Sequence, residues 1–144
     1  MRILFIDTVH PVLWEQLEVA GHTCIDATTE SKSELMRKMP GVHGIVIRSR
    51  FTIDREFIDA SPDLRFIARS GAGMENIDTE YAGKKGVLCI NSPEGNRDAV
   101  AEHAIGMLLM LFNRLNIADR EVRTGQWNRE ANRGLELAGK TVGI

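Results

Sequence analysis

The chain has 144 residues, of which 43% are hydrophobic and 26% are charged, so it can form one domain with a hydrophobic core but not two full domains. Eighteen basic and twenty acidic residues leave a formal net charge of -2, and no overall charge attracts nucleic acid or an anionic membrane. We therefore expect no nucleic-acid partner and no membrane partner.

The amino terminus and the cysteines predict a soluble, cytoplasmic protein. Asp7 interrupts the first apolar run directly after Ile6, which is not the pattern of a signal peptide. The longest uncharged apolar stretch, Ala104–Phe112, has nine residues, whereas a membrane span needs about 20. Cys24 and Cys89 lie in separate apolar runs without C-x-x-C spacing, which indicates buried thiols with no redox role.

Five short apolar runs rich in β-branched residues predict five strands in the first ninety residues. These runs are Ile3–Ile6, Thr23–Ile25, Gly44–Ile47, Leu64–Ala68 and Val87–Ile90. Segments with helical spacing lie between them, and Gly21 and the pair Pro40-Gly41 interrupt these segments. Alternating strands and helices form right-handed βαβ units. The sequence therefore predicts an α/β fold with a flavodoxin-like, doubly wound parallel five-stranded sheet and helices on both faces.

A long helix is predicted after the sheet. Ser92–Asn96 forms a turn, and helical periodicity begins near Asp98, an acid suited to the first turn of a helix. Apolar residues repeat at helical spacing through Leu115 and also occupy the opposite side, so this helix is expected to need partners on two sides. Gly125 ends the periodicity, and Gly139–Ile144 is typical of the start of another buried strand.

Three loops after the predicted strands carry candidate binding residues, because ligands of doubly wound sheets bind beyond the carboxyl ends of the strands. The loops are Arg48–Arg50, Arg69–Asn76 and Asn91–Asn96. Arginine binds carboxylates and phosphates through paired donors, and Gly71 and Gly73 allow backbone N–H groups to approach a ligand. The combination favours a small organic anion, although either arginine alone is more often part of an ordinary ion pair or a solvated strand end.

Other chemistries are not indicated. A phospho-receiver domain has an aspartate where this chain has Arg48, and Asp7–Pro11 is not the Ser/Thr-rich phosphate loop of a flavodoxin. Glu102 and His103 are adjacent on the predicted helix and point about 100° apart, which suits neither an acid–base pair nor a metal site. The serines of the three loops have no nearby histidine and no Gly-x-Ser-x-Gly context, so we predict no covalent catalysis.

Several motifs in this order resemble the family of D-isomer-specific 2-hydroxyacid dehydrogenases over nearly the whole chain. They are Arg48-Ser49, Ile67–Asp78, Asn91–Asn96, Val100–Glu102, and Trp127 followed by Glu136–Ile144. The resemblance implies an NAD-dependent oxidoreductase that transfers hydride between C2 of a D-2-hydroxyacid and the cofactor. Two arginines favour a doubly anionic acid such as 3-phosphoglycerate, a substrate of serine biosynthesis, while the choice between NAD and NADP stays open.

The resemblance also implies site residues. Those expected to bind the substrate are Arg48, Ser49, Arg69, Ser70, Ala72, Gly73, Met74 and Asn76. Asn96 and Val100 are expected near the cofactor. Ala72 and Glu75 stand where the family often has Val or Thr and Asp, so the exact substrate stays open.

The resemblance further implies an amino-terminal fragment. The family's Gly-x-Gly-x-x-Gly turn and its catalytic arginine, glutamate and histidine have no counterpart here, so no catalytic residue and no metal site is assigned, and the fragment is expected to be inactive alone. Residues 1–97 are expected to form the substrate domain. Residues 98–144 are expected to form a bridging helix and the truncated start of a Rossmann domain, with a homodimer formed through Asp98–Leu115. The alternative is a non-catalytic anion-binding or dimerisation module.

Overall fold

The computed structural model describes residues 1–143. The chain separates into two compact units, Met1–Asn96 and a second unit that begins at Arg97. The functional division into residues 1–97 and 98–144 stays a prediction.

The first unit contains a five-stranded sheet with the strand order β2-β1-β3-β4-β5, and every neighbouring pair is parallel. Its strands are β1 (Arg2–Phe5), β2 (Thr23–Asp26), β3 (Gly44–Ile47), β4 (Phe66–Arg69) and β5 (Leu88–Ile90). This order confirms the predicted flavodoxin-like doubly wound sheet. Strand β4 begins at Phe66 rather than Leu64, because the Leu64 N–H donates to the carbonyl of Ser61 and closes a turn (3.2 Å).

Four helices connect these strands, and two more lie in the second unit. They are α1 (Pro11–Val19), α2 (Lys32–Lys38), α3 (Arg55–Asp59), α4 (Thr79–Lys84), α5 (Arg97–Phe112) and α6 (Leu115–Arg123). A side chain accepts a backbone N–H at the start of each of the first four helices, so one of the otherwise unpaired amide groups is satisfied there. Ser31 and Glu34 form a complete capping box on α2.

The core has two layers because successive strand residues point to opposite faces of the sheet. On one face the buried side chains of β1, β3 and β4 pack with α2, α3 and α4, and Phe57 is fully buried among them. On the other face Ile3, Phe5 and Val46 pack against α1, where the rings of Phe5 and Trp14 lie 4.8 Å apart. Helices therefore cover both faces, as predicted.

The long helix predicted through Leu115 is wrong in its extent. Helix α5 ends at Phe112, Arg114 takes a left-handed conformation (φ 52°), and α6 starts at Leu115. The Leu135 N–H donates to the Phe112 carbonyl (2.9 Å), which therefore does not continue the helical ladder. No helix within residues 1–143 is long and apolar enough to cross a membrane.

The strand predicted for Gly139–Ile144 does not form over residues 139–143, and Ile144 lies outside the described residues. Gly139 has a φ of +74°, and the Lys140 N–H closes a turn onto the carbonyl of Leu137 (3.0 Å). A strand needs a neighbouring strand to accept its hydrogen bonds, and residues 97–143 contain no strand.

Candidate functional site

An open cleft of about 470 Å³ lies beyond the carboxyl ends of four strands. Its lining comes from the loops after β1, β3, β4 and β5: Thr8, Val9, His10, Arg48, Ser70, Gly71, Ser92, Gly95 and Asn96. Strands β1 and β3 are neighbours in the sheet, while the chain leaves β1 for β2 on the other side. The cleft therefore includes the topological switch point, where doubly wound sheets bind ligands.

The loop after β3 is fixed by hydrogen bonds to a carboxylate and by an arginine of the loop itself. One oxygen of Asp7, Oδ2, accepts the backbone N–H groups of Arg48, Ser49 and Arg50 at 2.6, 3.1 and 3.3 Å. The Arg50 guanidinium donates to the carbonyls of Ile6, Ala27 and Glu30 at 3.0, 3.1 and 2.6 Å. Arg50 thus ties the loop to the ends of β1 and β2 and has a structural role.

The Arg48 carbonyl is fixed from the opposite direction. It accepts Arg69 Nε at 3.1 Å and Asn76 Nδ2 at 3.3 Å, and Asn76 Nδ2 also donates to the carbonyl of Phe51 at 3.3 Å. All hydrogen bonds of Arg48 among residues 1–143 use its main chain. Arg48 is exposed and lines the cleft, so its guanidinium is available to a ligand there.

The loop after β4 bends sharply at Gly71. The Gly71 N–H donates to the Arg69 carbonyl at 2.9 Å, and a Cβ at Gly71 would lie 2.2 Å from Arg69 Nη1. The loop after β5 is joined to this bend, because Ser92 N–H donates to the Gly71 carbonyl (2.9 Å) and Asn91 Nδ2 to the Ala72 carbonyl (2.6 Å). The Arg69 guanidinium occupies the space that a side chain at position 71 would take.

The predicted site residues fall into three groups. Arg48, Ser70 and Asn96 line the cleft. Arg69 and Asn76 donate hydrogen bonds to the Arg48 carbonyl and are not among the residues that line the cleft. The remaining five residues are not among the lining residues: Ser49, Ala72, Gly73, Met74 and Val100.

Some of those five have other surroundings in the structure. Met74 packs against the core, and a Cβ at Gly73 would lie 2.2 Å from the Glu75 carboxylate. Val100 lies on α5 in the second unit and is 57% exposed. Their assigned binding roles stay predictions.

The loop after β1 was missed by sequence reasoning. It supplies Asp7, which supports the β3 loop, and Thr8, Val9 and His10, which line the cleft. His10 Nδ1 accepts the Val12 N–H at 3.2 Å and caps α1, so the proton of the neutral ring is on Nε2, which can donate. The available signal was its position, since every strand of a parallel sheet delivers a loop to the same edge.

The cysteines and Asp26, which do not line the cleft, show no sign of a second reactive site. Burial raises the pKa of the Cys89 thiol, and burial followed by the charge of Glu18 raises the pKa of the Cys24 thiol, so neither is a ready nucleophile. The pKa of Asp26 is lowered by the hydrogen bonds it accepts from Thr28. Residues 1–143 contain no group of three His, Cys, Asp or Glu side chains that could hold a metal ion.

Comparison with known proteins gives a family match over most of the chain. Residues 3–140 match the catalytic domain of the D-isomer specific 2-hydroxyacid dehydrogenases. The D-3-phosphoglycerate dehydrogenase of Archaeoglobus fulgidus is 35% identical over 144 residues, and that of Rattus norvegicus is 34% identical over 143 residues. These alignments cover 100% and 99% of this chain and 27% of each relative, so the chain spans about a quarter of the length of these relatives.

A solved structure gives the same picture. The NAD+-bound 3-phosphoglycerate dehydrogenase of Entamoeba histolytica is 32% identical with a TM-score of 0.65, and the match covers 78% of this chain and 39% of that one.

Proposed function

Because the chain belongs to the family of D-isomer-specific 2-hydroxyacid dehydrogenases, we propose that it supplies the substrate-binding part of an NAD-dependent oxidoreductase acting on a D-2-hydroxyacid, with 3-phosphoglycerate as the substrate. The substrate is suggested by the relatives of Archaeoglobus fulgidus and Rattus norvegicus, which are D-3-phosphoglycerate dehydrogenases. The cofactor is suggested by the NAD+-bound enzyme of Entamoeba histolytica.

The observation that carries this proposal is the free guanidinium of Arg48. Its main-chain N–H and carbonyl are both bound, its charged group has no partner among residues 1–143, and Arg48 lines an open cleft. A guanidinium binds a carboxylate or phosphate through two parallel hydrogen bonds. Because the main chain of Arg48 is already fixed, anion binding has to order only its side chain.

The residues around Arg48 suit the rest of the acid. Ser70, Ser92 and His10 line the same cleft, and their hydroxyls and ring are groups that can donate hydrogen bonds to the oxygens of the acid. A phosphorylated hydroxyacid has two anionic groups, so it can accept more hydrogen bonds from these donors than a simple hydroxyacid can. We assign to these side chains the binding and orientation of the substrate, and no catalytic residue.

NAD supplies the acceptor for the substrate hydride when it is bound. Asn96 and Val100 remain our candidates for contact with the cofactor. The 144 residues contain no Gly-x-Gly-x-x-Gly turn for a pyrophosphate, so the residues present do not by themselves form a dinucleotide site.

The test is calorimetric titration of 3-phosphoglycerate and of D-lactate into this chain. We expect 3-phosphoglycerate to bind more tightly than D-lactate, and Arg48→Ala to weaken it by about tenfold, the scale of one charge-assisted pair. Arg65→Ala is the matched control, because Arg65 is an exposed arginine that precedes β4, at the opposite edge of the sheet. Equal binding of both acids would contradict the phosphorylated substrate, and no binding of either would contradict the anion site.

We also propose that the chain forms a homodimer through the segment Asp98–Leu115. No residue of α5 is buried in the single chain, and its apolar side chains Val100, Ile105, Met107, Leu109, Met110 and Leu111 are between 41% and 68% exposed. An exposed apolar surface of this extent is typical of an interface. Light scattering should give a dimer that Leu111→Lys disrupts, while Val19→Lys, at an isolated apolar residue of α1, leaves it intact. A wild-type monomer at high concentration would contradict the proposal.

A further inference from the structure

We propose that Asp7 is a positioning residue for anion binding: it fixes the main chain of Arg48 and leaves the guanidinium free for the ligand. This inference rests on the proposed function of the cleft and deepens it. Asp7 itself does not line the cleft, so its effect on the ligand is exerted through Arg48.

The geometry is that of a carboxylate oxygen enclosed by main-chain donors. Oδ2 of Asp7 accepts three successive N–H groups, with the shortest distance, 2.6 Å, to Arg48. Hydrogen bonds to an ionised acceptor are stronger than neutral ones, and one oxygen with three donors fixes the direction of the loop. The pairing of β1 with β3 brings Asp7 to this loop, since Ile6 N–H donates to the Val46 carbonyl at 2.9 Å.

The Asp7 carboxylate binds main-chain N–H groups and does not pair with the Arg48 guanidinium. Its carboxylate makes no ion pair with Arg48, although the two residues are in direct contact through the Arg48 N–H. Three main-chain donors satisfy the carboxylate instead. A direct ion pair would neutralise the guanidinium and compete with an anionic ligand, so binding Asp7 to the main chain keeps the positive charge of Arg48 available.

The arrangement also restrains Arg48 from two sides. Asp7 holds its N–H, while Arg69 and Asn76 hold its carbonyl. Loss of Asp7 would leave three neighbouring N–H groups without their shared acceptor, and the loop would have to turn them toward water. Arg48 would then sample more orientations, and ordering it would cost affinity when the anion binds.

The experiment compares Asp7→Asn and Asp7→Ala with the wild-type chain. Backbone ¹⁵N NMR would follow amide exchange at residues 48–50 without ligand, and calorimetry would follow 3-phosphoglycerate and inorganic phosphate. We expect faster exchange in Asp7→Ala and affinities that fall in the order wild type, Asn, Ala, with a loss of about tenfold for Ala. Asp7→Asn should retain part of the anion affinity, because asparagine keeps an oxygen acceptor for the main-chain N–H groups but loses the negative charge.

The matched control is Asp26→Asn. Asp26 ends β2 as Asp7 follows β1, but within residues 1–143 its carboxylate accepts hydrogen bonds from Thr28 only, and Asp26 does not line the cleft. We expect Asp26→Asn to change neither the exchange of residues 48–50 nor the anion affinity. Near-ultraviolet dichroism confirms that each variant is folded, and Asp7→Asn carries the test if Asp7→Ala does not fold.

A double-mutant cycle separates positioning from a general structural role. If Asp7 acts through Arg48, Asp7→Asn should have no further effect on anion affinity once Arg48→Ala is present. Equal losses in both backgrounds, or unchanged exchange at residues 48–50 in both Asp7 variants, would overturn the inference. A wild-type chain that binds neither anion would refute the proposed function instead, and the exchange data would then decide whether Asp7 orders the loop.

Discussion

The substitution Gly71→Ala should weaken anion binding while leaving the fold nearly intact. Gly71 has no left-handed φ, so its backbone tolerates alanine, but the new Cβ would lie 2.2 Å from Nη1 and 2.9 Å from Cζ of Arg69. The clash is relieved by a movement of the Arg69 side chain, because this flexible side chain moves more easily than the hydrogen-bonded main chain of the loop. Its hydrogen bond from Nε to the Arg48 carbonyl, now 3.1 Å, is then lost.

The magnitude follows from that one hydrogen bond. Its loss at a partly exposed site costs about 1 kcal/mol, and the smaller conformational entropy of an unfolded chain with alanine offsets about 0.5 kcal/mol of it. The net loss of stability should therefore be below about 1 kcal/mol. Arg48 loses one of the two side chains that hold its carbonyl, and we expect the affinity for 3-phosphoglycerate to fall about fivefold.

The assay combines urea unfolding, followed by tryptophan fluorescence, with calorimetric titration of 3-phosphoglycerate; the signal comes from the partly buried Trp14 and the exposed Trp127. Gly83→Ala is the matched control: Gly83 lies in α4 and a Cβ there would meet nothing within 4 Å. Alanine should stabilise that helix by about 0.5 kcal/mol without changing affinity. If Gly71→Ala bound the acid as tightly as the wild type does, the support of Arg48 by Arg69 would be irrelevant to binding.

Two further predictions concern the fold. Gly44→Ala would place a Cβ 2.1 Å from the ring of Phe66 on the neighbouring strand, and we expect a loss of about 1–3 kcal/mol in urea unfolding with unchanged anion affinity. The hydrogen bond from Lys32 and the Phe57 N–H lower the pKa of Asp54, so this carboxylate adds stability above its unfolded pKa of about 3.9. Stability should therefore fall as the pH drops below about 4, and less steeply in Asp54→Asn; identical acid unfolding curves would contradict this.

Most of the first unit could be predicted from the sequence because its signals are local. Strands such as Gly44–Ile47 are continuous apolar runs, and the turns between elements carry glycine or proline. The end of α5 could not be predicted in the same way. It depends on Leu135, which reaches the Phe112 carbonyl from 23 positions further along the chain.

The candidate site likewise combines residues that could be predicted from local sequence with contacts that could not. Arg48 and Ser70 follow predicted strands, so their place at the edge of the sheet could be read from the sequence. The contact of Asp7 with the loop after β3 spans more than 40 positions and depends on the pairing of β1 with β3. A flavodoxin-like strand order places β1 beside β3, so the loop after β1 could have been assigned to the cleft by its position. No local pattern, however, marks Asp7 as the acceptor of the N–H groups of residues 48–50.

Arg48 and Arg50 show the limit most directly, because two identical side chains in one loop have opposite roles. Arg50 donates to three main-chain carbonyls. The Ala27 carbonyl also accepts the Glu30 N–H, so Arg50→Ala would leave the carbonyls of Ile6 and Glu30 without this partner and should cost about 2 kcal/mol. Arg48→Ala removes a side chain without partners among residues 1–143 and should change stability by no more than about 0.5 kcal/mol. Urea unfolding of both variants measures the difference, and equal losses would refute the assignment of the free guanidinium to a ligand.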